Sequence, residues 1–401
     1  MRVRLDVWLL LGAALVLAAI VAVRLSYRLG LPSLLAYLGL GLLIGESGFG
    51  IRFDDAELAK TLGLAALVII LTEGGLTTNW RRVRPGIPAA VALATVGTSV
   101  SIVIVAASAH WLLGADWRLA FLLGAALAPT DAAAVFSVLR RLPLPHRLAG
   151  TLEAESGFND APVVILVIAL SSAGEHPLDM VSLFGTLVYE LAAGGGVGLL
   201  MGLVGAYTLR RMALPASGLY PIAVLSLALG SYGAATLLHA SGFLACYLCA
   251  VVLGNARLPH RPATRGFAEG LAWLAQIGLF VMLGLLASPS DLPAQILPAL
   301  VIGSVLALIA RPLSVLVSTS WLGINWRENV FLSWAGLRGA VPIVLATVPM
   351  TDGVPGADRL FALVFVIVVV FTLLQGPTLP PVARLCRLTV EGETKDLDVE
   401  A

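Results

Sequence analysis

Apolar runs of 17 or more residues recur along this 401-residue chain, separated by short segments that hold most of its charge. Each run is long enough to cross a hydrocarbon layer roughly 30 Å thick. Only 12% of the residues are charged, about half of what a soluble protein of this length carries. The pattern specifies an all-α polytopic membrane protein, because a lipid-exposed backbone must satisfy its own hydrogen bonds and helices do so within one segment. Thirteen spans are expected, at 5–23, 32–46, 61–79, 87–113, 117–139, 149–172, 181–208, 219–238, 241–255, 268–287, 292–320, 328–350 and 358–382. The net charge of +1 carries no information about partners, since the charges are segregated.

The loops orient the chain. Placing the C-terminus in the cytoplasm puts seventeen of the 25 basic residues on the inner side and six on the outer, with Arg311 and Arg338 left inside spans. Inner loops rich in Arg and Lys fit the positive-inside rule, so the N-terminus is expected outside, although Arg2 and Arg4 run against it. The first span lacks a small-x-small cleavage site and reads as a retained helix rather than a signal peptide. Residues 387–401 read as a short polar cytoplasmic tail. Cys246 and Cys249 form C-x-x-C inside the ninth span, where small-residue packing is favoured over metal or redox chemistry. The five histidines lie at span ends or in loops, and Trp111, Trp117 and Trp326 fit the interfacial belts. No phosphate loop, metal-spacing motif or nucleic-acid patch is present.

Two spans carry helix breakers near mid-depth. The fifth reads FLLGAALAPTDAAAVFSV, with Pro129, Thr130 and Asp131 at its middle; the twelfth reads FLSWAGLRGAVPIVLATV, with Gly336, Gly339 and Pro342. Proline removes a backbone donor and clashes with the preceding turn. Irregular backbone at this depth survives only where it is buried in protein or lines a cavity. The two spans are seven apart, so they cross in opposite directions, as inverted repeats of about six spans would. Interrupted helices at matching positions of two inverted halves are the best sequence pointer to a transport site. In the seventh span Gly194, Gly198 and Gly202 read as a close-packing face. Glu190, one turn earlier, reads as a hydrogen-bonded structural acid or as a proton-handling group.

A charge at mid-membrane costs about 2.5–3.5 kcal/mol on insertion scales, so it marks a pathway or a pair. Glu73, Asp131, Glu155, Asp160, Arg311 and Arg338 are such charges. In the sixth span Ser156 and Asp160 share one helical stripe, and Glu155 and Asn159 share the next. Asp160, Ser156, Asp131 and Thr130 offer the oxygen ligands a dehydrated monovalent cation needs. Two carboxylates in a poorly solvated site cannot both stay ionised without a cation, and they titrate as one unit. Cation and proton then compete for one site. Glu155 is the natural counter-ion of Arg311, with Asn159 able to bridge; Arg338 balances helix-end charge or pairs with Glu73.

The segments APTDAAAVFSVLRR, LEAESGFNDAPVV and SWAGLRGAVPIVLAT resemble the signature segments of NhaP-type cation/proton antiporters, relatives of the animal sodium/proton exchangers. With ILTEGGL around Glu73, the likeness is nearest the potassium/proton subgroup and runs from about residue 10 to 385. The resemblance implies an NhaA-like fold with two crossed discontinuous helices, scaffold helices at about 5–79 and 181–287 and core helices at about 87–172 and 292–382. It also implies a homodimer in the plasma membrane and elevator-like alternating access without a cofactor. The cation and proton site would be Thr130, Asp131, Ser156 and Asp160, supported by Asn159, Glu155, Arg311, Arg338 and Glu73. An Asn-Asp pair, here Asn159-Asp160, is associated with electroneutral exchange. Potassium-type members usually continue into cytosolic regulatory domains, so control by a nucleotide-sensing tail is not expected here. A sodium-coupled symporter or a cation channel on a similar fold is the alternative reading. An intramembrane aspartyl protease built on Asp131 and Asp160 is disfavoured, because neither acid sits in a Gly-x-Gly-Asp context.

Overall fold

The computed structural model describes residues 5–29, 32–46, 48–51, 53–131, 144–172 and 180–388. Among them every regular element is a helix. Nine helices are long and apolar enough to cross a membrane and four more are apolar but shorter; each falls on one of the thirteen expected spans. They are α1 (Leu5–Leu29), α2 (Ser33–Ile44), α3 (Ala56–Thr77), α4 (Trp80–Leu113), α5 (Trp117–Leu127), α6 (His146–Ser172), α7 (Met180–Arg211), α8 (Leu219–Leu237), α9 (Gly242–Asn255), α10 (Arg261–Leu286) and α11 (Leu292–Thr319). The twelfth span is two helices, α12 (Trp326–Trp334) and α13 (Ala340–Thr351), and the last is α14 (Ala357–Leu385). Residues 132–139 of the expected fifth span lie outside the described residues, as do Arg2, Arg4, Arg52, Arg140, Arg141, His176 and the tail from 389.

Local chemistry sets the helix ends. Asp55 caps α3 by accepting from the Leu58 N–H at 2.8 Å, and Asp116 caps α5 by accepting from Arg118 at 3.0 Å. Asn325 and Glu328 form a reciprocal capping box on α12, satisfying donors that a helix start leaves open. Gly114, at φ 66°, ends α4 in the left-handed conformation that glycine adopts without a Cβ penalty.

Burial sorts the bundle. The apolar windows of α6 and α14 are each 72% buried, whereas those of α1 and α7 are 11% and 17% buried. The first pair is therefore central and the second peripheral. Helices α7, α8 and α9 pack on one another, and α3 packs against α9 and α10 on one side and α13 on the other. The glycines of α7 meet α9 as close-packing positions: a Cβ at Gly194 would reach the Ser241 backbone and one at Gly198 the Ala245 backbone. Glu190 uses its carbonyl to accept from the Ser241 N–H at the same seam. Cys246 lies 3.0 Å from Thr72 Oγ1 and joins α9 to α3, and Cys249 is likewise buried. The fourth and eleventh spans, also seven apart, each contain one π-helical turn, Leu93–Gly97 and Leu306–Ala310. Such turns re-aim the residues that follow them, and Arg311 follows the second.

Candidate functional site

The two interrupted spans meet at their breaks. Helix α5 ends at Leu127 and the chain runs unwound to Asp131; residues 335–339 are unwound between α12 and α13. The Asp131 N–H donates to the Leu337 carbonyl at 3.0 Å, and the Ala340 N–H donates to Asp131 Oδ2 at 2.7 Å. Asp131 therefore stands at the N-terminus of α13, where the free N–H groups and the positive helix end favour an anion. Gly339 is what lets it in: a Cβ there would fall on the Asp131 carboxylate.

Helix α6 passes beside this crossing. Ser156 Oγ lies 3.1 Å from Thr130 Oγ1, and Asn159 Nδ2 donates to the same Thr130 oxygen at 2.8 Å. The expected bridge from Asn159 to Arg311 is thus corrected. A bridge to the guanidinium would need Asn159 Oδ1 as its acceptor, and that oxygen has no partner among the described residues, while an amide N–H goes to Thr130 of the unwound segment. Asp160 follows one turn after Ser156 and is 4% exposed. Its Oδ1, like Asn159 Oδ1, has no hydrogen-bond partner among the described residues. Pro162 cannot supply the N–H that would occupy the Phe158 carbonyl.

The carboxylates of Asp131 and Asp160 line one small cavity. Its other walls are Leu67, Ile70 and Leu71 of α3, Phe280 of α10, and Ala340 and Val341 of α13. These apolar walls are the part sequence reasoning missed. Leucines and a phenylalanine inside membrane spans carry no signal that separates a cavity wall from ordinary packing. A buried acceptor without a donor is costly. Thr130 and Ser156 stand beside this cavity, while its lining is the two aspartates and six apolar residues.

The charges around the cavity have partners of their own. Arg311 donates from Nη1 and Nη2 to the two oxygens of Glu155 at 2.5 and 2.9 Å, with both side chains buried. This bidentate form is the strongest geometry for such a pair. Arg338 donates from Nη1 to the Gly336 carbonyl at 2.9 Å, just past the C-terminal end of α12, and its own carbonyl accepts from Thr372 at 2.8 Å. A guanidinium at that end opposes the negative pole of the helix. Gly336 lies against both guanidiniums; a Cβ there would sit 2.8 Å from Arg311 Nε and 3.2 Å from Arg338 Nη1. Glu73 is buried in α3, two residues beyond the cavity wall at Leu71.

Residues 14–385 match the family model described as sodium/hydrogen exchanger, transmembrane. The K(+)/H(+) antiporter NhaP of Alkalimonas amylolytica is 41% identical over 394 residues, which are 97% of this chain and 68% of that protein. The Na(+)/H(+) antiporter NhaH of Halobacillus dabanensis is 28% identical over 381 residues, with 88% of this chain and 91% of that one aligned. The structure of the sodium proton antiporter MjNhaP1 from Methanocaldococcus jannaschii superposes with a TM-score of 0.80 at 23% identity, covering 94% of this chain and 98% of that one. The crossed breaks, the buried acids and these likenesses agree, and the chain belongs to the transmembrane sodium/hydrogen exchanger family.

Proposed function

We propose that the protein exchanges one monovalent cation for one proton at the Asp131–Asp160 cavity, by alternating access across the plasma membrane. The observation that carries this reading is the buried Asp160 carboxylate, whose Oδ1 faces no donor among the described residues. A cation held by Asp160, Ser156, Thr130 and Asp131 excludes the proton, and the proton excludes the cation. Competition for one site gives exchange whenever the loaded site, and only the loaded site, changes sides.

Potassium is the favoured cation, supported by the names of the relatives at 41% and 39% identity; sodium is the second reading, supported by NhaH. Helices α1–α3 and α7–α10 act as the scaffold and α4–α6 with α11–α14 as the moving core. The peripheral position of α1 and α7 supports a homodimer of this chain. The Arg-rich end is cytoplasmic. Glu155 and Arg311 brace α6 against α11, and Arg338 and Glu73 complete the surroundings of the site.

The test uses purified protein in liposomes under a pH gradient with a pH-reporting dye. Addition of K⁺, Na⁺ or Li⁺, with voltage clamped or free, should collapse the gradient for one cation regardless of voltage. Asp160→Asn should abolish that response while the protein stays folded. A response to no cation over a wide pH range would reject antiport and favour the symporter or channel.

A further inference from the structure

Along the seam between α3 and α13, contacts succeed one another from the cavity wall to the Lys60 end of α3. Next to the cavity, Leu67 and Leu71 of α3 and Val341 of α13 form its wall. One turn further along α3 is Gly63, where a Cβ would lie 3.1 Å from both Val344 methyl carbons. At the end, Lys60 Nζ donates to Thr351 Oγ1 at 2.7 Å and lies 4.0 Å from Asp352 Oδ1. The Thr351 hydroxyl gives its own proton to the Val348 carbonyl at 2.8 Å, so toward Lys60 it can only accept. Thr351 and Asp352 are the last residue and the C-cap of α13, where the helix pole favours a cation.

The sequence makes the position unusual. Lys60 and Lys395 are the only lysines in a chain that otherwise uses arginine for every basic site. Lysine is a compact point charge on a flexible stem, whereas arginine binds as a planar fork. A tie that must form and break suits the former.

We propose that Lys60 is a positioning residue that decides which face of the membrane the cation site serves. By fastening α3 to the C-terminal end of α13, it stabilises the arrangement in which the Asp131–Asp160 cavity is shut toward the Lys60 end. This inference rests on the antiport reading, with α3 in the scaffold and α13 in the moving core. If α13 travels relative to α3, the Lys60 tie has to open in each cycle, and its strength sets the balance between the two arrangements.

The test measures the apparent KM for the transported cation separately at each face, in proteoliposomes of known orientation, for wild type, Lys60→Met, Lys60→Arg and the swap Lys60→Asp/Asp352→Lys. Wild-type exchange must be present first, which tests the antiport reading independently. A partly exposed ionic tie of this kind biases a two-state balance by up to about 5-fold. Lys60→Met should therefore shift the ratio of the two KM values by up to about 5-fold in favour of the Lys60 face. Lys60→Arg and the charge swap should bring it most of the way back. A purely structural lysine would lower the amount of active protein without moving that ratio. Equal changes at both faces, or none, would overturn the proposal. Should Lys60→Met fail to fold, Thr351→Ala removes the acceptor on the other side of the seam and makes the same comparison.

Discussion

Glu155→Gln should cost the protein its stability before it costs the site its chemistry. The substitution keeps the shape of the side chain and removes its charge. Arg311 then stays buried between α6 and α11, 4% exposed, with a Nε that already lacks a partner among the described residues. Removing one partner of a buried ion pair costs about 3–5 kcal/mol. The glutamine oxygen still accepts one of the two guanidinium bonds, which returns about 1 kcal/mol, so the net loss is about 2–4 kcal/mol. Glu155→Leu combined with Arg311→Met removes both charges and should be milder than either single change, because no charge is left stranded. The assay is the fraction of monodisperse protein that survives graded heating in detergent and lipid, with exchange measured separately on the surviving fraction. An unchanged thermal midpoint together with lost exchange would refute the bracing role and move Glu155 into the ion site.

Other outcomes follow from the same geometry. Gly339→Ala places a methyl on the Asp131 carboxylate; it should break the bond from Ala340 N–H, destabilise the protein by about 1–2 kcal/mol and slow exchange, read by heating and by liposome flux. One proton competing with one cation makes the apparent cation KM rise about tenfold for each pH unit lost on the acid side, with kcat unchanged at saturating cation. A KM that is flat with pH would exclude a shared site. Thr130→Val deletes the oxygen that meets both Ser156 and Asn159; it should weaken the apparent cation affinity about tenfold and also cost about 1–3 kcal/mol of stability, because the buried Asn159 N–H loses its acceptor.

Much of this fold is legible in the sequence, because a membrane replaces subtle packing signals with a coarse one. Among the described residues an apolar helix falls at each of the thirteen positions that hydropathy picked out, nine of them long enough to span, and the Pro-Thr-Asp and Gly-Leu-Arg-Gly stretches located both breaks. Hydropathy reads the hydrocarbon layer rather than the helix, which is why α1 continues to Leu29 and α7 to Arg211, beyond the apolar runs that define them. Helical spacing put Glu155 and Asn159 on one stripe and so assigned both to Arg311. Spacing along α6 could not foresee that the unwound Thr130 would come within 2.8 Å of the Asn159 amide. That contact belongs to the crossing of two distant spans. For the same reason Gly339 read only as a helix breaker, although its close approach to Asp131 is set by tertiary structure.

The distribution of partners bears on stoichiometry. Asp131 accepts from the N-terminus of α13, Glu155 and Arg311 satisfy each other, and Arg338 sits on a carbonyl at the end of α12. Each of these charges is answered by something the fold keeps in place, so none has to change when the cargo changes. Asp160 differs, since its Oδ1 waits for a donor that the described residues do not provide. On this reading a single negative charge is left for mobile ligands, and either a cation or a proton neutralises it. The loaded site would then carry the same net charge in both directions, and electroneutral exchange is the expected outcome. Asn159 supports this count from the neighbouring position, because an amide cannot take up a second proton. A voltage-driven flux in wild type would mean that Asp131 also loses and regains its proton during the cycle, and its bond to α13 would have to break each time.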